Sequence, residues 1–161
     1  MRGEDEATRL ADQASVRAVI EKYMFALDRR DEAKLLEVFT EDADLSYHGG
    51  QMRMTGGAQF VEAGVRMVEQ FNATSHNVHS FHATIDGDTA VADFIAIATL
   101  VDADKEQVVV RGIHYLDDLV RLSTGWCVRR RQHTPQWQYE VPTANVAFPQ
   151  MSRMPETFRP T

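Results

Sequence analysis

The chain has 161 residues and a formal charge of −7, from 17 basic and 24 acidic side chains, which is the size of one domain. A hydrophobic fraction of 43% and a charged fraction of 25% exclude wholesale disorder. The acidic balance argues against nucleic acid as a main partner. The single cysteine, Cys127, excludes an intramolecular disulfide and argues against a cysteine-built zinc site. The opening residues Met1 to Glu6 lack the apolar stretch of a secretory signal. The longest apolar-rich run, Thr89 to Val101, is interrupted by Asp93 and is too short to span a bilayer. A cytoplasmic protein with no membrane partner is the expectation.

Thr8 to Asp28 is predicted to be a helix, because Val16, Val19, Ile20, Tyr23 and Leu27 recur at helical spacing. A second helix, Asp31 to Phe39, should follow at once, with Asp31 as N-cap and Leu35, Leu36 and Phe39 buried. Ala43 to Tyr47 reads as a short strand, Gly49-Gly50 as a turn and Gln51 to Thr55 as its partner strand. Gly56-Gly57 should open a third helix, Ala58 to Phe71, with Phe60, Val61, Val65 and Val68 inward.

Four long strands are expected next: Thr74 to Ile85, Thr89 to Val101, Gln107 to Arg121 and Trp126 to Tyr139. Tight turns such as Asp86-Gly87-Asp88 join them as consecutive hairpins. The layout is α+β: a curved antiparallel sheet packed on three N-terminal helices, which leaves a cone-shaped hollow. Residues 1–140 form this domain. Residues 141–161, with most of the prolines, form a tail that drapes over the domain or a neighbouring subunit.

Three of the six histidines cluster as His76, His79 and His82. On a regular strand His76 and His82 face one way and His79 the other. No carboxylate or cysteine stands at a persuasive spacing for zinc, so no metal is expected. On periodicity alone, Asp28 could be only a helix-end residue and Tyr23 only a core aromatic. The five-residue step between them is about 140° around a helix, so they could meet only across a groove.

The ordered set Ile20…Tyr23…Ala26-Leu27-Asp28, Leu35…Phe39…Asp42-Ala43, Thr74-Ser75-His76, Ile85 to Ala90, and Tyr115 to Arg121 with Gly125-Trp126 and Arg131 resembles the SnoaL-like branch of the nuclear transport factor two superfamily. The resemblance covers roughly residues 10 to 140. It implies a cone-shaped α+β barrel. In several lyases of that branch, such as bile acid 7α-dehydratase, scytalone dehydratase and hexachlorocyclohexane dehydrochlorinase, an aspartate and a histidine form a catalytic dyad. The dyad maps onto Asp28 and His76. A tyrosine at position 23, where the dehydrochlorinase has lysine, makes the chain look more like a dehydratase. It departs elsewhere: Thr134 falls near the dehydrochlorinase's last-strand arginine, Leu100 near the second histidine of scytalone dehydratase, and Ser80 at a common asparagine.

The function these residues imply is a dehydratase-type β-elimination. His76 takes a proton, Asp28 fixes its tautomer, and Tyr23 or Tyr47 polarises a carbonyl or protonates a leaving group. No cofactor is needed. The paired glycines lack the spacing and following lysine of a phosphate loop. Met24, Met54, Phe60, Phe94 and Trp137 are candidates, with Tyr47, to line a pocket for a bulky hydrophobic molecule such as a steroid, terpenoid or polycyclic aromatic. Two alternatives stay open: a cyclase or ketosteroid-isomerase-like enzyme using the same pair, and a non-catalytic ligand-binding or dioxygenase-small-subunit-like module. The resemblance also implies a homo-oligomer, with a trimer favoured over a dimer.

Overall fold

The structure is a computed structural model that describes residues 2–102 and 104–143. The first helix, α1, spans Arg2–Arg29. Val16, Ile20, Tyr23, Ala26 and Leu27 are buried along its inner stripe. Each large apolar side chain buried there contributes about 1.5–3 kcal/mol. The chain turns through Arg30 into α2, Glu32–Leu36, which is capped by Asp31 accepting the Lys34 backbone N–H at 3.1 Å.

The second helix is shorter than its periodicity suggests. Leu36 is exposed, and Phe39 opens β1, Phe39–Tyr47. The reason is tertiary: Val128 donates its backbone N–H to the Val38 carbonyl at 2.8 Å and Phe39 pairs with Val128. A sheet edge thus takes a backbone that helix propensity would have kept. A 3-10 turn, His48–Gly50, leads to β2, Met52–Thr55, and then α3, Gly56–Glu69. Phe60, Val61, Val65 and Val68 of α3 are buried as expected.

Strands β3, Ala73–Asp86, β4, Thr89–Asp102, β5, Gln107–Leu122, and β6, Gly125–Pro142, form the long meander. The sheet order is β2-β1-β6-β5-β4-β3. All pairs are antiparallel except β1 with β6, which is parallel, so the sheet is mixed. The meander leaves one edge of β6 free, and β1 fills it after its own hairpin with β2. Alternate β4 residues Ala90, Ala92, Phe94, Ala96, Ala98 and Leu100 are buried and mark the inner face. Residues 141 and 142 continue β6; the rest of the expected proline-rich tail, beyond Thr143, lies outside the described residues.

Two of the sheet's register shifts decide which way His82 and Trp137 face. The β3–β4 register shifts between His79 and His82, where Ser80 has φ 44°. Ala83 is therefore buried and His82 exposed. His76 and His82 face opposite ways, against the simple alternation. On β6, Pro135 pairs with Ile113 but Trp137 pairs with Gly112, so Gln136 is the extra residue. Trp137 consequently lies on the outer face, 45% exposed, over Gly112, where an added Cβ would meet its ring at 2.1 Å. It does not line the interior as its parity with Arg131 and His133 suggests.

Among the described residues no helix is long and apolar enough to cross a membrane.

Candidate active site

The last turn of α1 brings Asp28 against the start of β3. Its Oδ1 accepts hydrogen bonds from Thr74 Oγ1 at 2.8 Å and His76 Nδ1 at 2.6 Å, and its Oδ2 accepts the His76 backbone N–H at 2.8 Å. β3 is an edge strand, so that backbone N–H has no strand partner and the carboxylate supplies one. The Asp28 side chain is 16% exposed and that of His76 6%. Burial alone would raise the Asp28 pKa. The His76 ring hydrogen bond, the His76 charge, the backbone N–H and Thr74 outweigh it and hold the carboxyl below its ordinary value. An ionised Asp28 only accepts, so Nδ1 carries the ring proton of neutral His76 and Nε2 keeps its lone pair.

A groove of about 600 Å³ opens beside the dyad, lined by Glu21, Met24, Phe25, Asp28, Arg29 and residues 76–79. Arg29 lies over the Phe25 ring at 3.5 Å. Of the expected lining residues, Met24 borders this groove. Met54, Phe60 and Phe94 are buried in the hydrophobic core, Phe60 stacked on Tyr47 at 5.3 Å and Phe94 on Tyr115 at 4.9 Å.

Tyr23 and Tyr47 meet each other rather than the dyad. Their hydroxyls are 3.1 Å apart and both side chains are buried. Tyr23 therefore sits on a different flank of α1 from Asp28, as the 140° step requires. Burial raises the pKa of both phenols, so both stay protonated.

Beneath the tyrosines lies an ion pair that sequence reasoning left unplaced. Arg131 Nε and Nη2 bind Asp117 Oδ1 and Oδ2 at 2.8 and 2.5 Å, and Arg131 Nη1 donates to Tyr47 OH at 3.3 Å. Neither side chain of the pair is exposed. The guanidinium lies 4.0 Å from the Tyr23 ring centroid. Burial pushes the Asp117 carboxyl up. It also opposes the charge on Arg131, but Asp117 and the tyrosine oxygens hold that pKa well above its ordinary value. The second direction governs, because a guanidinium keeps its proton inside proteins.

His133 is a second residue that composition and apolar periodicity do not single out. It is 7% exposed on the inner face of β6, stacked on Tyr47 at 4.8 Å and set edgewise to Tyr115 at 5.0 Å. Its Nδ1 accepts the His48 backbone N–H at 3.2 Å. Burial first, and then the charges of His48, Arg131 and His76, lower its pKa to about 3. One signal was available: Tyr115 and Asp117, and Arg131 and His133, are polar residues at two-residue spacing within buried strands. Among the described residues no three His, Cys, Asp or Glu side chains converge as a metal site would require.

The model of the SnoaL-like domain family matches residues 8–132. An uncharacterised protein of Mycobacterium tuberculosis strain H37Rv is 30% identical over 135 residues, which is 80% of this chain and 88% of that protein. A candidate scytalone dehydratase from Novosphingobium aromaticivorans superposes with a TM-score of 0.77 at 18% identity, covering 83% of this chain and 90% of that one. The hexachlorocyclohexane dehydrochlorinase LinA-type3 from Novosphingobium barchaimii superposes with a TM-score of 0.73 at 16% identity, covering 89% and 97%. A protein of the nuclear transport factor two type with a cystatin-like fold, again from N. aromaticivorans, gives 0.71 at 19% identity, covering 89% and 90%. Those likenesses carry the fold, and the family match over most of the chain carries the membership: the chain belongs to the SnoaL-like domain family.

Proposed function

We propose that the protein is a cofactor-independent lyase that removes water or halide from a bulky hydrophobic small molecule by β-elimination. The observation that carries this reading is the Asp28–His76 contact at 2.6 Å beside an open groove. Asp28 fixes the Nδ1–H tautomer, and Nε2 is the base that takes a proton next to the substrate's carbonyl or leaving group. Asp28 then stabilises the imidazolium that forms. A positioned base of this kind contributes about 10² to 10⁴ in rate. The similarity in fold to dehydratase and dehydrochlorinase structures supports the same reaction class. Met24, Phe25 and Val78 in the groove favour an apolar substrate of steroid, terpenoid or polycyclic aromatic type.

The reading takes the chain as a homo-oligomer, a trimer before a dimer. Trp137, Tyr139 and Val141 support self-association: all are exposed on the outer face of the sheet, the two rings stacked at 6.0 Å.

The test is a turnover screen of β-hydroxy and β-halo carbonyl compounds on hydrophobic scaffolds, run on wild type, His76→Ala and Asp28→Asn. Turnover by wild type alone, with all three proteins folded, is the expected result. Equal activity in all three removes the dyad from the chemistry, and binding without turnover in any of them identifies a ligand-binding module instead.

A further inference from the structure

An elimination needs more than a base, because negative charge builds on an oxygen of the substrate as the proton leaves. His76 and Asp28 supply no donor for it: Nδ1–H is spent on the carboxylate and Nε2 is the acceptor. The Tyr23 and Tyr47 hydroxyls share one hydrogen bond, which uses one of their two protons, and Arg131 donates to Asp117 and Tyr47.

His133 is built the opposite way round from His76. Its Nδ1 accepts a backbone N–H, so in the neutral ring the proton sits on Nε2. No hydrogen bond among the described residues uses that Nε2–H, although the ring is 7% exposed. Three contacts fix the ring plane: Tyr47 stacked, Tyr115 edge-on and His48 at 5.2 Å. The N–H that fixes the tautomer comes from a turn of uncommon backbone, His48 at φ 53°, Gly49 at φ 67° and Gly50 at φ 93°. A left-handed histidine there is a local cost that tertiary structure sustains. Both imidazoles stand on the inner face of the sheet. His76 pairs with Ala98 of β4 and His133 with Tyr115 of β5, both buried. The groups facing His133 are His48, His76, Arg131 and the phenols of Tyr47 and Tyr115, and they include no carboxylate. Only a backbone hydrogen bond favours a second proton, and burial with the neighbouring charges outweighs it.

We propose that His133 is the hydrogen-bond donor of the site, its neutral Nε2–H holding the substrate oxygen on which charge develops when His76 takes the proton. The proposal rests on the reading of Asp28–His76 as the base. In the elimination the C–H bond breaks to His76 Nε2, its electron pair forms the C=C bond, and the C–O bond to the leaving hydroxyl breaks. The proton returns from His76 to that hydroxide and leaves as water. His133 keeps its own proton throughout. A neutral imidazole suits this role because it polarises a carbonyl without adding a buried charge.

The experiment is nitrogen-15 NMR of the full chain with labelled histidine, together with binding of 2-naphthol, whose hydroxyl ionises to an oxyanion with a separate absorption band. Wild type should show His133 as the Nε2–H tautomer, without titration between about pH 5 and 8. Bound 2-naphthol should shift the His133 Nε2–H resonance and be more ionised than free 2-naphthol at the same pH. His133→Phe should bind it at least about tenfold more weakly, and His133→Gln, which keeps a donor, should recover part of that loss. An Nδ1–H tautomer, a titrating His133, no 2-naphthol binding by wild type, or unchanged binding by His133→Phe each overturns the proposal. These readouts need no turnover. His76→Ala should retain the His133 tautomer and the naphthol site, so loss of the base and loss of the donor are told apart.

Discussion

Asp28 holds His76 twice, by the ring at 2.6 Å and by the backbone N–H at 2.8 Å. One carboxylate thus orients an imidazole and also closes the exposed edge of β3. Asp28→Asn separates the two duties. The amide oxygen can still accept the backbone N–H, but its NH2 can face Nδ1 only as a donor, which moves the ring proton to Nε2 and removes the base. Activity in the turnover screen should fall by about 10² to 10⁴. The circular dichroism spectrum should stay that of wild type. A variant with full activity would show that the tautomer does not matter.

Much of the fold is legible in the sequence because its signals are periodic. The apolar stripe of α1, the Phe60-to-Val68 stripe of α3 and the hairpin turn at Asp86-Gly87-Asp88 all predict elements that the structure contains. What escapes is whatever depends on one residue of register. The bulges at Ser80 and Gln136 reverse the facing of His82 and Trp137, and an inserted residue leaves no mark in composition. Phe39 is helical by periodicity and a strand by pairing. Asp28 and His76 are linked by resemblance alone, since periodicity says nothing of a carboxylate and an imidazole 48 positions apart. Tyr23 with Tyr47, and Asp117 with Arg131, needed the tertiary fold to bring their partners into view.

Acid should expose the work of Asp28 in stability. Its folded pKa lies below the ordinary 3.8, so the folded state favours the ionised form. The stabilisation is present above the unfolded value and is lost as pH falls through the folded one. Urea unfolding of wild type and Asp28→Asn from neutral pH down to about pH 3 should show wild type more stable at neutral pH and the gap closing in acid. A gap independent of pH would mean that the ionised carboxylate contributes nothing to folding.

The Asp117–Arg131 pair makes a different prediction because both side chains are unexposed. Removing one partner strands the other without solvent. Arg131→Met should cost about 3–5 kcal/mol, and Arg131→Met with Asp117→Leu should recover much of that loss, because a buried pair contributes little net stability beyond a packed apolar core. The recovered stability should come without recovered geometry: Tyr47 loses the donor at 3.3 Å and with it part of the support under the His133 stack. Thermal unfolding measures the first effect, and the His133 resonances measure the second. Additive losses in the double variant would contradict the pairing.

The outer face of the sheet carries the last prediction. The bulge that turns Trp137 outward sets it beside Tyr139 and Val141, which are 45%, 54% and 44% exposed. These residues pair with Gly112, Val110 and Val108, so the apolar surface extends onto β5. Apolar residues contiguous on an open sheet are costly to leave in water, and a stable interface needs about 800 Å² from each partner. Wild type should therefore exceed the monomer mass in light scattering at micromolar concentration. Tyr139→Glu should shift it towards the monomer by placing an unpaired charge at the centre of the contact. The substitution lies on the opposite face of the sheet from His133, so the histidine tautomers should be unchanged. A monomeric wild type would refute self-association, and an unchanged mass for Tyr139→Glu would place the contact elsewhere.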